Sequence, residues 1–223
     1  MFITLTVCNL KRKTLAEKLY LVKKRRFVTE YTVYDSGEFY TTRLFTYCNN
    51  NEKAINKYFK NIDFPLITKN SEIVVNFFYI TLANTAFKNM GGSVETAIYD
   101  PDGRFIFLLP NIFEKSRSIN ICTLNPQKYE TACQNIYKQS GTPYIISSNP
   151  EIIKNCDIIL CESPPPIFTK GKIFSKNDFL NKKLFMPNFL LEAVPDYTEP
   201  LIIAAGLYFT NQDSRLGSLY FET

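Results

Sequence analysis

Ser118-Ile-Asn-Ile-Cys-Thr-Leu-Asn-Pro-Gln-Lys128, continued by Tyr144-Ile-Ile-Ser-Ser-Asn-Pro150 and Asp157-Ile-Ile-Leu-Cys161, decides the fold. Residues 118–123 read as a strand. Asn125-Pro126 is helix-start chemistry, an N-cap residue followed by proline at the first helical position. Tyr129, Ala132, Cys133, Ile136 and Tyr137 then share one helical stripe, and Ser140-Gly141-Thr142 closes it. Residues 143–147 form the next strand, and Asn149-Pro150 repeats the cap-and-proline device for a short helix to Asn155. Residues 157–161 are a continuous apolar strand, as expected where both faces of a parallel sheet are covered. Pro164-Pro165-Pro166 forces a loop after it. Strands alternating with helices imply parallel βαβ units with right-handed crossovers. Further on, residues 184–190 suggest another strand and 199–209 a closing helix.

Upstream the rhythm differs. Residues 2–8 alternate as a strand, and 14–26 carry Leu15, Leu19 and Val22 on one helical face. Residues 28–34 and 38–47 flank the turn Asp35-Ser36-Gly37 and read as a hairpin. A helix over 49–62 and a short strand over 64–68 complete a β-α-β-β-α-β order, the ferredoxin-like pattern. Residues 71–90 read as a helix apolar around most of its axis, expected to be buried between the halves and stopped by Gly91-Gly92. Two β-runs, 94–99 and 104–109, joined by Asp100-Pro101-Asp102-Gly103, read as a hairpin. The expected architecture is therefore α/β. It has a ferredoxin-like α+β domain over 1–70, a connecting helix and β-hairpin over 71–110, and a Rossmann-like parallel-sheet domain over 111–223.

The segments Ile119-Asn-Ile-Cys-Thr-Leu-Asn125 with the helix to Gly141, and Tyr144 to Cys161, resemble the NAD(P)-binding Rossmann domains of the shikimate dehydrogenase and glutamyl-tRNA reductase kind. The resemblance implies a doubly wound sheet and a nicotinamide cofactor. The chain departs from that pattern in two places. Such domains seat a pyrophosphate on a glycine-rich turn at a helix N-terminus, and no G-x-G-x-x-G occurs here. With 105–109 taken as the preceding strand, only residues 110–117 would remain for a crossover, too few for a helix of normal length. Pro126 also stands where NADP-preferring members carry an arginine after the turn asparagine.

Composition removes several chemistries. The 223 residues contain no histidine, which excludes imidazole bases, His-dependent triads and His metal ligands. The six cysteines lack CxxC spacing and mostly sit in apolar runs, so they read as buried reduced thiols. The net charge of +5 is concentrated in Lys11-Arg12-Lys13 and Lys23-Lys24-Arg25-Arg26. That cluster reads as a solvated helix face, with nucleic acid as the other possibility. No apolar run spans a bilayer and the N-terminus has no basic n-region, so a cytoplasmic protein without a membrane partner is expected.

In open α/β sheets ligands bind at the carboxyl ends of strands. That rule places Thr123, Asn125, Ser147, Ser148, Glu162 and Ser163 along one edge, and Thr123, Asn125, Ser148, Glu162 and Ser163 are the candidate ligand-binding residues. Asn125 and Asn149 read as helix caps, and Asp100 and Asp102 as turn residues. The expected role is a non-catalytic or regulatory ligand-binding protein on a degenerate Rossmann-like domain, without a cofactor or metal. Its ligand would be small and anionic or nucleotide-like. The alternatives are an NAD(P)-dependent oxidoreductase with an atypical cofactor site, and an RNA-binding protein using the N-terminal domain.

Overall fold

The computed structural model of the protein describes residues 2–7, 27–35, 38–46, 66–67, 71–90, 93–180, 182–185, 200–210 and 214–222. The helices expected over 14–26 and 49–62, the basic cluster, Cys8, Cys48, the Gly91-Gly92 stop and most of the strand expected over 184–190 lie outside these residues. The chain divides into two compact units, Met1–Val75 with Met186–Leu216, and Asn76–Phe185 with Gly217–Thr223.

The first unit holds a four-stranded sheet in the order β3-β2-β1-β4. Strand β1 (Phe2–Val7) pairs antiparallel with β2 (Phe27–Asp35), β2 antiparallel with β3 (Glu38–Thr46), and β1 parallel with the short β4 (Leu66–Ile67). The expected 28–47 hairpin is the β2–β3 pair. The two helices that would make the pattern ferredoxin-like fall outside the described residues.

Helix α1 (Glu72–Met90) follows. Every residue from Phe77 to Ala86 is buried, including the polar stripe of Thr81, Asn84 and Thr85. Two threonines inside it satisfy their hydroxyls locally, Thr81 on the Phe77 carbonyl and Thr85 on the Thr81 carbonyl.

The second unit is built on five parallel strands: β5 (Val94–Tyr99), β6 (Ser116–Cys122), β7 (Tyr144–Ser147), β8 (Ile158–Cys161) and β9 (Lys172–Ser175). Their order across the sheet is β7-β6-β5-β8-β9. Numbered from β5, that is 3-2-1-4-5, the doubly wound order, with its reversal between β5 and β8. Strand β8 is buried at all four positions, so its sequence has no alternation. One sheet face carries Ala97, Cys122 and Ile159, packed against Ile153 and Cys156 beyond β7. The other carries Ile98, Ile119, Ile121, Ile158, Leu160 and Phe174, all buried.

The hairpin expected over 94–109 is not formed. Residues 94–99 are β5, but Phe105–Leu108 form a 3₁₀ turn that runs into helix α2 (Leu109–Phe113). The buried residues Phe105, Leu108, Leu109, Ile112 and Phe113 recur at helical spacing. Aromatic and β-branched content favours a strand over such a short run, and burial of this stripe overrides it. Pro110 is tolerated because it falls in the first turn. The first strand of the parallel sheet is therefore β5, not residues 105–109, and residues 100–115 supply its crossover. The Rossmann-like frame begins inside the expected connecting segment.

Helix α3 (Pro126–Ser140) ends on Gly141 in the left-handed region at φ 71°, as the Gly stop predicts. The Asn149-Pro150 device gives a single 3₁₀ turn, Pro150–Ile153. Strand β9 and the four-residue helix α4 (Lys176–Phe179) were not expected. Ser175 and Asp178 form a reciprocal capping box at the start of α4. Gly171 admits β9 to the sheet, since a Cβ there would lie 1.9 Å from the Cys156 carbonyl oxygen. Helix α5 (Pro200–Phe209) belongs to the first unit and is buried from Ile202 to Leu207.

Candidate ligand site at the reversal of the sheet

The loop leaving β5, Asp100-Pro101-Asp102-Gly103-Arg104, occupies the position where doubly wound folds carry their phosphate-binding turn. Its turn chemistry is as expected, with Gly103 at φ 71° and its N–H donated to the Asp100 carbonyl at 3.2 Å. The role of Asp100 is different from that of a turn residue. It is 4% exposed, and its Oδ2 accepts the Phe105 N–H at 2.7 Å and the Tyr129 hydroxyl. Phe105 begins the helical segment after the loop, where a Rossmann pyrophosphate would meet free N–H groups. Here a carboxylate of the chain already takes that donor. Burial, then the Asp100 charge, pushes the Tyr129 hydroxyl up, so it remains protonated and donating.

Arg104 lies at the end of this loop. Its guanidinium pairs with Asp102 at 2.9 Å and with Glu162 at 3.3 Å. Glu162 directly follows β8, so the second pair bridges the two strands between which the sheet order reverses. Both side chains are substantially exposed, and such pairs open readily. Tyr79 of α1 is 3% exposed, and its ring lies 4.4 Å from that of Phe105, the residue after Arg104. Burial and then the Glu162 carboxylate raise its hydroxyl, with Cys161 and Asp100 adding to that and Arg104 opposing it.

The other candidates sit elsewhere on the edge. Thr123, just past β6, is 1% exposed, and its hydroxyl accepts the Asn125 N–H at 3.1 Å. Asn125 precedes α3 but makes no side-chain cap; its amide donates to the Pro101 carbonyl at 3.1 Å. That corrects its reading as a cap. The Leu124 N–H reaches the same carbonyl at 3.2 Å, and Lys128 Nζ reaches the Asp102 carbonyl at 3.2 Å. These bonds fasten the loop after β5 to the one after β6. Asn149 does cap, accepting the Glu151 N–H at 3.0 Å. Ser148 and Ser163 are exposed.

All five candidates follow carboxyl ends of strands, but they do not converge. Ser148 follows β7 and Glu162 follows β8, three strand spacings apart, or roughly 14 Å. Glu162 stands instead with Arg104 and Asp102, and its charge acts on the Tyr79 hydroxyl. Sequence reasoning missed Arg104 because 104–109 read as a strand, and missed Tyr79 because it lies within an apolar helix. The helical spacing of 105, 108, 109, 112 and 113 was the available signal for the first.

Dinucleotide folds also place an acidic residue at the end of the second strand for the ribose. The corresponding positions here are Thr123, Leu124 and Asn125. The four described cysteines are buried and unpaired, with Cys133 and Cys161 pushed up to about 12 by burial. Among the described residues no group of His, Cys, Asp or Glu is arranged to hold a metal, and no helix is long and apolar enough to cross a membrane.

No known protein family matches the sequence, and no curated protein matches it. Solved structures similar to the chain include L-tryptophan dehydrogenase from Nostoc punctiforme, at 11% identity and TM-score 0.38, covering 75% of this chain and 53% of that one. A lysine cyclodeaminase structure, described as showing recognition of L-lysine, L-ornithine and L-2,4-diamino butyric acid, aligns at 8% identity and TM-score 0.36, covering 66% and 44%. A probable ornithine cyclodeaminase from Bordetella pertussis Tohama I aligns at 10% identity and TM-score 0.29, covering 64% and 42%. The chain thus spans about half the length of these structures. The parallel order β7-β6-β5-β8-β9 is what makes the second unit an α/β, Rossmann-like sheet.

Proposed function

We propose that this protein is a ligand-binding, regulatory protein whose Rossmann-like unit takes a small polar molecule between the carboxyl ends of β5 and β8, without a dinucleotide cradle. The observation that carries this reading is the Asp100 carboxylate on the Phe105 N–H. A pyrophosphate would have to displace a buried, doubly bonded carboxylate and then lie beside Asp102 and Glu162. Their like charge, which Arg104 and Lys128 only partly offset, disfavours it, and the absent ribose carboxylate removes a second anchor. Isothermal titration of NAD, NADP and inorganic pyrophosphate tests the reading. Saturable binding is expected only above about 100 μM, or about −5.5 kcal/mol. A micromolar dissociation constant, or cofactor carried through purification, would overturn it.

The strand order favours a second reading, an NAD(P)-dependent oxidoreductase with an atypical cofactor site, because the same 3-2-1-4-5 order serves dinucleotide-binding folds. Arg104 would then be the phosphate contact and Asp102 or Glu162 the acid–base group, there being no histidine in the chain. Under that reading Arg104→Ala abolishes binding of the nicotinamide nucleotide.

A further inference from the structure

We infer that Tyr79, Arg104 and Glu162 form a recognition site for a small zwitterion, a molecule carrying one carboxylate and one ammonium group. This rests on the ligand-binding reading above and names its ligand class.

The starting observation is the Tyr79 hydroxyl. It is buried and has no hydrogen-bond partner among the described residues. Native interiors leave few such groups, and each has a cause. The hydroxyl is held protonated by burial and by the Glu162 charge, so it is a donor that lacks an acceptor. Its ring is fixed between Phe78 at 5.6 Å and Phe105 at 4.4 Å. Phe105 directly follows Arg104, whose pair with Glu162 joins the carboxyl ends of β5 and β8 at 3.3 Å.

The charges select the ligand. A carboxylate that separates the pair gains Arg104 and the Tyr79 proton, but leaves Glu162 facing it unpaired. An ammonium gains Glu162 but offers nothing to Arg104 or Tyr79. A molecule bearing both answers Arg104 and Glu162 together and offers the buried hydroxyl an acceptor, while Asp102 keeps its own contact with the guanidinium at 2.9 Å. It also adds no net charge to a mouth where Asp100, Asp102 and Glu162 outnumber Arg104 and Lys128. A guanidinium suits the carboxylate end, because it has N–H donors beyond the one that Asp102 occupies.

The test is isothermal titration of the full chain at pH 7 with each of the twenty protein amino acids. Acetate and ethylammonium serve as half-ligands, and inorganic pyrophosphate as the competing anion. At least one amino acid is expected to bind saturably, about tenfold or more tighter than either half-ligand. Tyr79→Phe is expected to weaken that binding about tenfold, equivalent to 1.4 kcal/mol, with the melting temperature unchanged or raised. Glu162→Gln, at an exposed position, should weaken the amino acid but not acetate, and keeps the test available if Tyr79→Phe fails to fold. Absence of binding by all twenty overturns the inference. So does unchanged affinity in Tyr79→Phe, which would mean that the hydroxyl bonds only water. If amino acids and pyrophosphate both fail, the zwitterion class alone falls. If pyrophosphate or NAD binds in the micromolar range, the functional reading falls with it.

Discussion

Replacing Asp100 by alanine removes the acceptor of two buried donors at once. The Phe105 N–H, now 2.7 Å from Oδ2, and the Tyr129 hydroxyl both lose their partner. Tyr129 is fully buried, so its hydroxyl cannot turn to solvent. Hydrogen bonds to a charged group are worth about 1.5–3 kcal/mol each, and a buried donor left unpaired costs its desolvation. The expected loss is about 4 kcal/mol, a large share of the roughly 5–15 kcal/mol that holds a folded chain together. For a chain of this size that lowers the melting temperature by roughly 8–16 °C. Asp100→Asn keeps a carbonyl acceptor and should cost about half as much. Thermal melts followed by circular dichroism measure all three proteins. Adding Tyr129→Phe to each completes a double-mutant cycle, with an expected coupling of about 1–2 kcal/mol. Asp100→Ala within about 1 kcal/mol of wild type, or a cycle without coupling, would show that Asp100 is an ordinary turn residue. The anion position would then not be filled by the chain itself.

Gly171→Ala is expected to destabilise by about 3 kcal/mol or more, because its Cβ would meet the carbonyl oxygens of Cys156 and Asp157 at 1.9 and 2.7 Å. A thermal melt showing no loss would mean β9 can leave the sheet without consequence. Burial raises the thiols of Cys122, Cys133, Cys156 and Cys161, the second and fourth to about 12. The folded chain therefore keeps these protons where the unfolded chain loses them, so stability is intact below about pH 9 and falls as pH rises from there toward 12. Urea titrations at pH 7, 9 and 10.5 would refute this if the midpoint stayed constant. At pH 8 the same thiols should resist iodoacetamide in the native protein and react in urea, as read by peptide mass spectrometry. Asn125→Ala should cost about 1 kcal/mol through its lost bond to the Pro101 carbonyl. Asn149→Ala should cost about as much, through a lost cap. Hydrogen exchange distinguishes the two, since only Asn125→Ala should loosen the loop after β5.

Local chemistry was enough for the elements whose signals lie within a few residues. Asn125-Pro126 and Gly141 bracket α3, the apolar run 158–161 marks a strand covered on both faces, and the mostly apolar surface of 72–90 marks a buried helix. The placement of Thr123, Asn125, Ser148, Glu162 and Ser163 after strand ends followed from the same pattern. Tertiary structure decided what depends on partners far away in sequence. Residues 105–113 could form a strand or a helix on propensity, and the burial of Phe105, Leu108, Leu109, Ile112 and Phe113 chose the helix. Strand β9 has four residues and becomes a strand only by pairing with β8. Strand order follows from how crossovers pack, not from any local motif, so the reversal between β5 and β8 could not be located in the sequence. Its consequences were hidden for the same reason. Asp100 is a turn residue by type and a buried acceptor by position, because Tyr129, 29 residues away, brings it a donor. Arg104 meets Glu162 across 58 residues, and Tyr79 reaches Phe105, the residue after Arg104, because a buried helix delivers it there.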